Sequence, residues 1–287
     1  MLIHRQLFVG MIIGFLLLAV IPVMAAEQSL VIGIFPRQKP TATFKCFTPL
    51  AEYLSRELHR KVILETAPDY AAFMATLNTS RYDIVHFNQY HYVRSHKTLG
   101  YNVIAMNEEA GTATIRGTVA VNKKSDVNSV QQLRNSKIMF GGGREAMMSY
   151  IVPTYLLQQA GLQKGDYVEE FARNPVNALL AVHYAQAKAA GVGKVVLQLP
   201  AMSKRYQNHV YTYLLTSEPL AQLPWAVKAD MPKILAEQIQ HVLISLKDSK
   251  QGRKILQDAN LTGLMPAKDA EYDRHREIIS AVLGEKY

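Results

Sequence analysis

A glycine turn is the segment of this sequence best suited to bind a ligand. A short apolar strand leads into Gly141, Gly142 and Gly143, and residues 146–159 have the pattern of a helix. Such a turn presents backbone N–H groups and the positive end of a helix to the space above it, which favours a bound anion. Arg144 adds a guanidinium that can form paired hydrogen bonds with a carboxylate, sulfonate or phosphate group. The pattern predicts an anion site at Gly142, Gly143 and Arg144.

The first turn of the predicted helix sets a second requirement for the ligand. It carries Ala146, Met147 and Met148, which supply no hydroxyl groups to an anion. Methionine offers a polarizable, apolar surface instead, although it also fills gaps in hydrophobic cores. We therefore expect either a ligand whose apolar or soft part contacts Met147 and Met148, or a pair of methionines that only pack.

A polar cluster follows another predicted strand. Asn88, Gln89 and Tyr90 come directly after the apolar residues 82–87, at the start of a predicted helix. In α/β folds, the carboxyl ends of strands and the starts of the following helices face the ligand. We therefore expect these three residues to contact it.

Three histidines in the same region raise the question of a metal. His86, His91 and His96 are separated by steps of five residues, which do not share one face of a helix. The single cysteine of the chain excludes a cysteine-based metal motif. We expect no metal and no cofactor, and a soft copper site formed by a histidine and the two methionines is the alternative.

Strands and helices alternate along the chain and position these candidates. Hydrophobic periodicity predicts strands at residues 30–35, 61–66, 82–87, 101–105, 114–121, 137–140, 189–192 and 210–216. It predicts helices at residues 47–58, 70–77, 146–159, 174–187, 232–247, 249–259 and 269–283. It also predicts one helix that starts at residue 88 and a separate short helix that ends at residue 133. This alternation predicts an α/β protein with parallel sheets covered by helices.

The N-terminus has the three parts of a secretory signal peptide. Arg5 lies in a short leading segment, residues 7–20 form an apolar run, and Val23, Met24 and Ala25 end in a small-residue cleavage pattern. We expect residues 1–25 to be removed and the mature protein to reach the periplasm. An uncleaved membrane anchor is the alternative.

Composition and missing motifs exclude several classes of function. The formal net charge is +9, but the basic residues are scattered and form no stripe with aromatic residues, which argues against a nucleic-acid partner. The sequence contains no Gly-x-Ser-x-Gly, His-Glu-x-x-His or Walker A lysine motif. We therefore expect a protein that is not an enzyme.

Short motifs along nearly the whole mature chain resemble those of a known family. They are residues 47–54, Asp69 with Tyr70, residues 119–123, Val130–Leu133, Phe140 with Gly141, Val152 with Pro153, residues 178–182 and Asp269–Tyr272. In their order and spacing, the chain resembles the periplasmic solute-binding proteins of the phosphate/phosphite/phosphonate ABC-transporter family.

The resemblance implies an α/β, two-lobed periplasmic-binding-protein fold of type II. Its ligand cleft lies between lobes that are joined by two crossover strands and close by a hinge motion. We place lobe one at residues 27–118 plus 220–287 and lobe two at residues 119–219. The expected function is capture of a small anion by a monomer that delivers it to an ABC-transporter permease. A sensory or interaction protein of the same fold, reporting ligand to a membrane partner, is the alternative.

The family's ligand positions are only partly kept in this sequence. Tyr70 matches a ligand tyrosine whose phenol can donate to an oxyanion. A second ligand tyrosine is replaced by Ile115, and the family's Ser-Thr-Ser cup by residues 146–148. An acidic residue that helps to hold a ligand amine is replaced by Lys188, which would repel an amine. These differences imply an anion with an apolar body, such as a carboxylate, sulfonate or organophosphate, rather than a simple phosphonate.

Overall fold

The described part of the molecule comprises residues 28–198, Met202 and residues 210–287 of a computed structural model. The predicted signal peptide, residues 1–25, lies outside these described residues. Within them, no helix has the length and apolar character needed to cross a membrane.

A mixed six-stranded sheet combines strands from the first and last parts of the chain. Its strands are β1 Leu30–Ile34, β2 Val62–Thr66, β3 Ile84–His86, β4 Asn102–Glu108, β12 Pro224–Val227 and β13 Gly263–Pro266. The order is β13-β4-β12-β3-β1-β2. Strand β1 is parallel to β2 and β3, whereas β12 is antiparallel to β3 and β4. Every residue of β1 is buried, as expected for a parallel strand covered on both faces.

A five-stranded sheet comes from the middle of the chain. Its strands are β6 Gly117–Asn122, β7 Lys137–Phe140, β8 Val168–Phe171, β9 Ala189–Gly193 and β10 Tyr211–Thr216. They are arranged β10-β6-β9-β7-β8, with β7 parallel to β8 and β9 and with β6 antiparallel to β9 and β10. Between the two sheets, β5 Thr114–Ile115 pairs with β11 Leu220–Ala221. The chain therefore crosses between the sheets through two short paired strands.

Helices cover both sheets, and several of them begin at side-chain caps. They are α1 Pro40–Glu57, α2 Tyr70–Leu77, α3 Gln89–Leu99, α4 Val152–Gln159, α5 Pro175–His183, α6 Lys233–Ser245, α7 Lys250–Asp258 and α8 Asp273–Leu283. The side chains of Asp69, Asn88 and Asn174 accept hydrogen bonds from backbone N–H groups in the first turns of α2, α3 and α5. These caps fix the points where each chain segment leaves the sheet edge and turns into a helix.

The segment after the glycine turn differs from the predicted continuous helix 146–159. Its first part, Met147–Ile151, is a π-helical turn that leads into α4. The carbonyl oxygen of Ala146 accepts the N–H groups of Ser149, Tyr150 and Ile151 at 3.3, 2.8 and 3.2 Å. This wider turn is a feature that recurs at functional sites.

Other differences from the predicted elements have local causes. The predicted parallel sheets are in fact mixed, because the strands that return from the crossovers run antiparallel to their neighbours. Sequence periodicity missed β8, β12 and β13, which are short and contain Glu, Pro or Gly residues that strands disfavour. The first helix begins at Pro40 rather than at residue 47, since proline is favoured in a first helical turn.

A shared hydrophobic core joins the two sheets. It contains Phe35 beside the six-stranded sheet, Val119 in the five-stranded sheet, and Ile278 of the C-terminal helix α8. The Arg274 guanidinium of α8 donates to the Tyr155 hydroxyl of α4 at 3.1 Å, and Lys164 Nζ donates to the Val282 carbonyl oxygen at 2.9 Å. Helix α8 therefore packs against elements of both halves.

The glycine turn offers a stability test with an internal control. A Cβ on Gly141 would lie 2.5 Å from Pro175 Cα, a backbone atom that cannot rotate away. Gly141→Ala should therefore lower the free energy of unfolding by about 1–3 kcal/mol, because the strand end and α5 must separate. Gly143→Ala meets no atom within 4 Å, so its effect should stay within about 1 kcal/mol. Urea denaturation of the two variants measures the difference, and equal stabilities would contradict the close approach.

Candidate functional site

A cavity of about 160 Å³ lies between the two sheets. It sits at the carboxyl ends of parallel strands, where Phe35 follows β1, Asn88 follows β3, Gly141 follows β7 and Gly193 ends β9. This is the edge at which α/β folds bind ligands. The crossover residue Ile115 also lines the cavity, so its wall comes from both sheets and from the connection between them.

The starts of several helices meet at this cavity. Tyr70 begins α2, Gln89 begins α3, Met147 begins the π-helical turn and Pro175 begins α5, and all of them line the cavity. The first N–H groups of a helix have no intrahelical acceptor, and the helix start carries a partial positive charge. The arrangement directs these positive ends towards one small volume.

The predicted site residues divide into two groups. The residues Tyr70, Asn88, Gln89, Gly142, Met147 and Met148 line the cavity. The residues Tyr90, Gly143, Arg144 and Lys188 are not among its lining residues. Ligand contact by any of the first group stays a prediction.

Arg144 has partners on the side of the turn away from the cavity lining. Its Nη2 lies 2.6 Å from Glu169 Oε2 on β8, and its Nη1 donates to the Tyr150 hydroxyl at 2.6 Å. The guanidinium also lies over the rings of Tyr150 and Phe171. The carboxylate and the two rings account for the orientation of Arg144, and its role as an anion anchor stays a prediction.

Lys188 and Tyr90 also lie away from the cavity, for different reasons. Lys188 is exposed just before β9 and donates its backbone N–H to the Lys137 carbonyl oxygen. Since Gly193 lines the cavity at the other end of β9, Lys188 is about 16 Å away along the strand. The Tyr90 hydroxyl donates to Glu285 Oε2 at 2.9 Å. Lys188 is thus too distant to repel an amine in the cavity.

The charged groups at the cavity are two arginines that sequence reasoning missed. Arg37 follows β1, and its Nη1 lies 2.8 Å from Glu109 Oε1, which also accepts from Asn107 Nδ2 at 3.1 Å. Arg173 lies between β8 and α5, is exposed, and has no carboxylate partner in the described part of the chain. The rule that strand carboxyl ends face the ligand would have found Arg37.

The remaining lining residues combine hydrogen-bond donors with apolar surface. Burial raises the pKa of the Tyr70 phenol well above its usual value, although Arg37 nearby opposes this rise, so the hydroxyl remains a donor. Ser149 places a hydroxyl-bearing residue one position beyond the expected cup. Met147 and Met148 are both buried and both line the cavity, so they pack in the core and also form part of the cavity wall. No Asp or Glu is among the described lining residues.

Each of the three histidines has a different partner. His86 stacks on Trp225 with ring centroids 4.3 Å apart, and burial lowers its pKa to about 3, so it is neutral. His96 Nδ1 donates to the Tyr101 carbonyl oxygen at 2.7 Å. Within the described ranges, no group of three His, Cys, Asp or Glu side chains is placed to hold a metal ion.

A cluster of charged and ring groups joins α3 to the loop before the π-helical turn. His91 Nε2 lies 3.0 Å from Glu145 Oε2, and Arg94 Nη1 lies 3.8 Å from Glu145 Oε1. The hydrogen bond with His91 lowers the pKa of Glu145, against the effect of its partial burial. Tyr70 stacks on the His91 ring with centroids 4.6 Å apart. This contact, which we call the His91–Glu145 latch, links the six-stranded half to the five-stranded half beside the cavity.

Solved structures of binding proteins share this architecture. The chain is similar to XAC2383 from Xanthomonas citri bound to chloride ion, with a TM-score of 0.78 and 17% identity over 89% of this chain and 98% of that chain. It is similar to PhnD1 from Prochlorococcus marinus in complex with methylphosphonate, with a TM-score of 0.77 and 18% identity over 90% and 99% of the two chains. For the periplasmic aliphatic sulphonate binding protein SsuA from Escherichia coli, the TM-score is 0.56 and the identity 13% over 90% and 79% of the chains. These similarities establish the type II periplasmic-binding-protein fold that the sequence predicted.

The sequence itself matches a family across most of its length. The family is described as ABC transporter, phosphonate, periplasmic substrate-binding protein, and the match covers residues 32–272. It favours the transport role over the sensory alternative. The chain therefore belongs to the family of periplasmic substrate-binding proteins of phosphonate ABC transporters.

Proposed function

We propose that this protein captures a small organic anion with an apolar part, without catalysis, and delivers it to an ABC transporter. The observation that carries the proposal is the cavity itself, which is lined by helix starts, Arg37 and Arg173 and by no carboxylate among the described residues. Family membership supports a substrate-binding role in the periplasm. The signal-peptide pattern of residues 1–25 supports export, and we propose that the exported protein acts as a monomer.

Electrostatics supports a negatively charged ligand. An anion would accept hydrogen bonds from backbone N–H groups at the start of the π-helical turn. It would also be attracted by the partial positive charges at the starts of α2, α3 and α5. Arg173 would supply a guanidinium without first breaking an ion pair, whereas Arg37 is already oriented by Glu109. Charge-assisted hydrogen bonds of this kind are about twice as strong as neutral ones.

The size and the apolar wall of the cavity support a small ligand with a hydrophobic portion. A volume of about 160 Å³ is close to the cavity of about 150 Å³ that holds a benzene-sized molecule. Met147 and Met148 line it together with Ile115, Leu223 and Val196. We propose that the charged end of the ligand lies towards the arginines and helix starts and that its apolar end contacts the methionines.

Closure of the two halves would complete the site. We propose lobes at residues 27–118 plus 220–287 and at residues 119–219, with β5 and β11 as the hinge connection. The cavity wall and the His91–Glu145 latch both take residues from either side of this division. A ligand held by both lobes favours the closed state by its difference in affinity for the two states.

Arg173 provides the first test of this proposal. Arg173→Ala should weaken binding of ethylphosphonate or ethanesulfonate by roughly tenfold or more, because a charge-assisted hydrogen bond is lost. Arg144→Ala is the matched comparison, since Arg144 pairs with Glu169, and it should bind like the wild type. Calorimetric titration of both variants, with melting curves to check folding, gives the result. Normal binding by Arg173→Ala with weak binding by Arg144→Ala would reverse the assignment of the anion anchor.

The His91–Glu145 latch provides a second test. Glu145 is 44% exposed in its side chain, so Glu145→Gln should weaken binding of the same anions only about two- to fivefold at neutral pH. Pairing lowers the Glu145 pKa below its usual 4.5. The Glu145 carboxylate is therefore ionised and the latch fully present at pH values above 4.5, and the latch is lost as the pH falls through the lowered pKa. The difference between variant and wild type should therefore disappear in acid.

The control for the latch is an ion pair within one sheet. Glu170 lies 2.8 Å from Lys137, and Glu170→Gln should leave affinity unchanged at every pH. An unchanged affinity in Glu145→Gln at neutral pH would show that the latch does not contribute to closure.

A further inference from the structure

Ser149 carries an unpaired hydroxyl group at the wall of the cavity. The residue lines the cavity within the π-helical turn and is only 7% exposed. Its backbone N–H donates to the Ala146 carbonyl oxygen at 3.3 Å. Among the described residues, no side chain or backbone group forms a hydrogen bond with Ser149 Oγ. The backbone of Ser149 is therefore used within the turn, whereas its hydroxyl is not.

The geometry of the turn helps to keep this hydroxyl free. A serine within a helix often donates to a carbonyl oxygen three or four residues earlier in the chain. The carbonyl oxygen three residues earlier, that of Ala146, already accepts three N–H groups. Since a carbonyl oxygen has only two lone pairs, it is a poor acceptor for a further donor. The π-helical turn thus removes one of the usual partners of the Ser149 hydroxyl.

Comparison with two other hydroxyl groups indicates that Ser149 Oγ is open to the cavity. Ser95 Oγ in α3 and Thr154 Oγ1 in α4 also lack partners, and both atoms are enclosed by protein. Ser149 Oγ is not among the enclosed side-chain atoms without a partner in the described part of the chain. An unpaired hydroxyl that is not enclosed must reach accessible space, and the space that Ser149 lines is the cavity.

We infer that the Ser149 hydroxyl binds the anionic group of the ligand directly. The inference rests on the proposed function, because it requires an anion in the cavity. Ser149 follows Met147 and Met148, whose backbone N–H groups open the π-helical turn, so one short segment supplies both backbone and side-chain donors. Ser149 thus contributes a hydroxyl group that the side chains of residues 146–148 lack.

A hydroxyl group suits more than one protonation state of the anion. It can donate to an unprotonated oxygen of a sulfonate or phosphonate, and it can accept from a singly protonated phosphonate. Arg37, Arg173 and the backbone N–H groups can only donate. We therefore expect Ser149 to contribute to the binding of sulfonates and of phosphonates alike.

Removal of the hydroxyl tests its contribution to affinity. Ser149→Ala should weaken binding of ethanesulfonate or ethylphosphonate, whichever the mature wild-type protein binds, by about tenfold or more, because a hydrogen bond to a charged group is lost. Calorimetric titration measures the loss, and melting curves check folding. Ser95→Ala is the control, since the same substitution there removes an enclosed hydroxyl that does not line the cavity. Its affinity should equal that of the wild type.

A cysteine at the same position tests the contact itself. Cys46→Ser removes the single native cysteine, and in this background the thiol of Ser149→Cys should react with the small neutral reagent methyl methanethiosulfonate. The anion, at about ten times its Kd for this variant, should slow the reaction about tenfold, because the reagent reaches only the unoccupied cavity. Ser95→Cys in the same background should react far more slowly, and the anion should not change its rate.

The outcomes separate the role of Ser149 from anion capture in general. Wild-type affinity in Ser149→Ala, or an equal loss in Ser95→Ala, would overturn the role of Ser149. A Ser149→Cys thiol that reacts no faster than that of Ser95→Cys, or that the anion does not protect, would overturn it as well. The proposed anion capture would stand in all of those cases. If the wild type binds neither anion, anion capture itself fails, and the inference about Ser149 fails with it.

Discussion

The convergence of helix starts on one cavity is the constraint on which the rest of the structure depends. The helices α2, α3 and α5 and the π-helical turn each follow a strand of one of the two sheets, and their first residues meet between the sheets. Their partial positive charges add to those of Arg37 and Arg173. Arg37 is paired with Glu109, whereas Arg173 has no carboxylate partner in the described part of the chain and the described lining residues include no Asp or Glu. This arrangement supports the proposed anionic ligand.

The same geometry places a contact between the two halves directly beside the cavity. Glu145 directly precedes the cavity residues 146–149 and pairs with His91 of the opposite half, whose ring stacks on the cavity residue Tyr70. Helix α8 also contacts α4, through Arg274 and Tyr155. In the proposed closure, an anion that draws the π-helical turn towards α3 would also bring the latch groups together, without any covalent step.

The sequence predicts the elements around the site better than the side chains within it. Helices are predicted to start at residues 70 and 88, and the structure confirms both starts, where Asp69 and Asn88 are side-chain caps. A helix start of this kind depends on one side chain and the backbone that directly follows it. The π-helical turn was not predicted, since its hydrogen bonds to the Ala146 carbonyl depend on how the segment packs under the sheets. Sequence patterns thus predict an element correctly where interactions between neighbouring residues determine it.

One unrecognised strand explains the main differences at the site. The residues of β8 are polar and partly exposed, so their pattern does not indicate a strand. Glu169 of β8 binds Arg144 on the side away from the cavity, and the end of β8 places Arg173 at the cavity wall. Without β8, sequence reasoning could neither pair Arg144 with Glu169 nor place Arg173 at the cavity wall. Lys188 differs for a related reason, because the direction of β9 decides which end of that strand faces the ligand.

A crystal structure of the mature protein with ethanesulfonate or ethylphosphonate, whichever binds more tightly, tests the central claim most directly. The account predicts the anionic group at the N–H groups of Met147 and Met148, with the Arg173 guanidinium turned towards it. An anion bound at Arg144 outside the cavity, or an empty cavity in a protein that calorimetry shows to be saturated, would contradict the account.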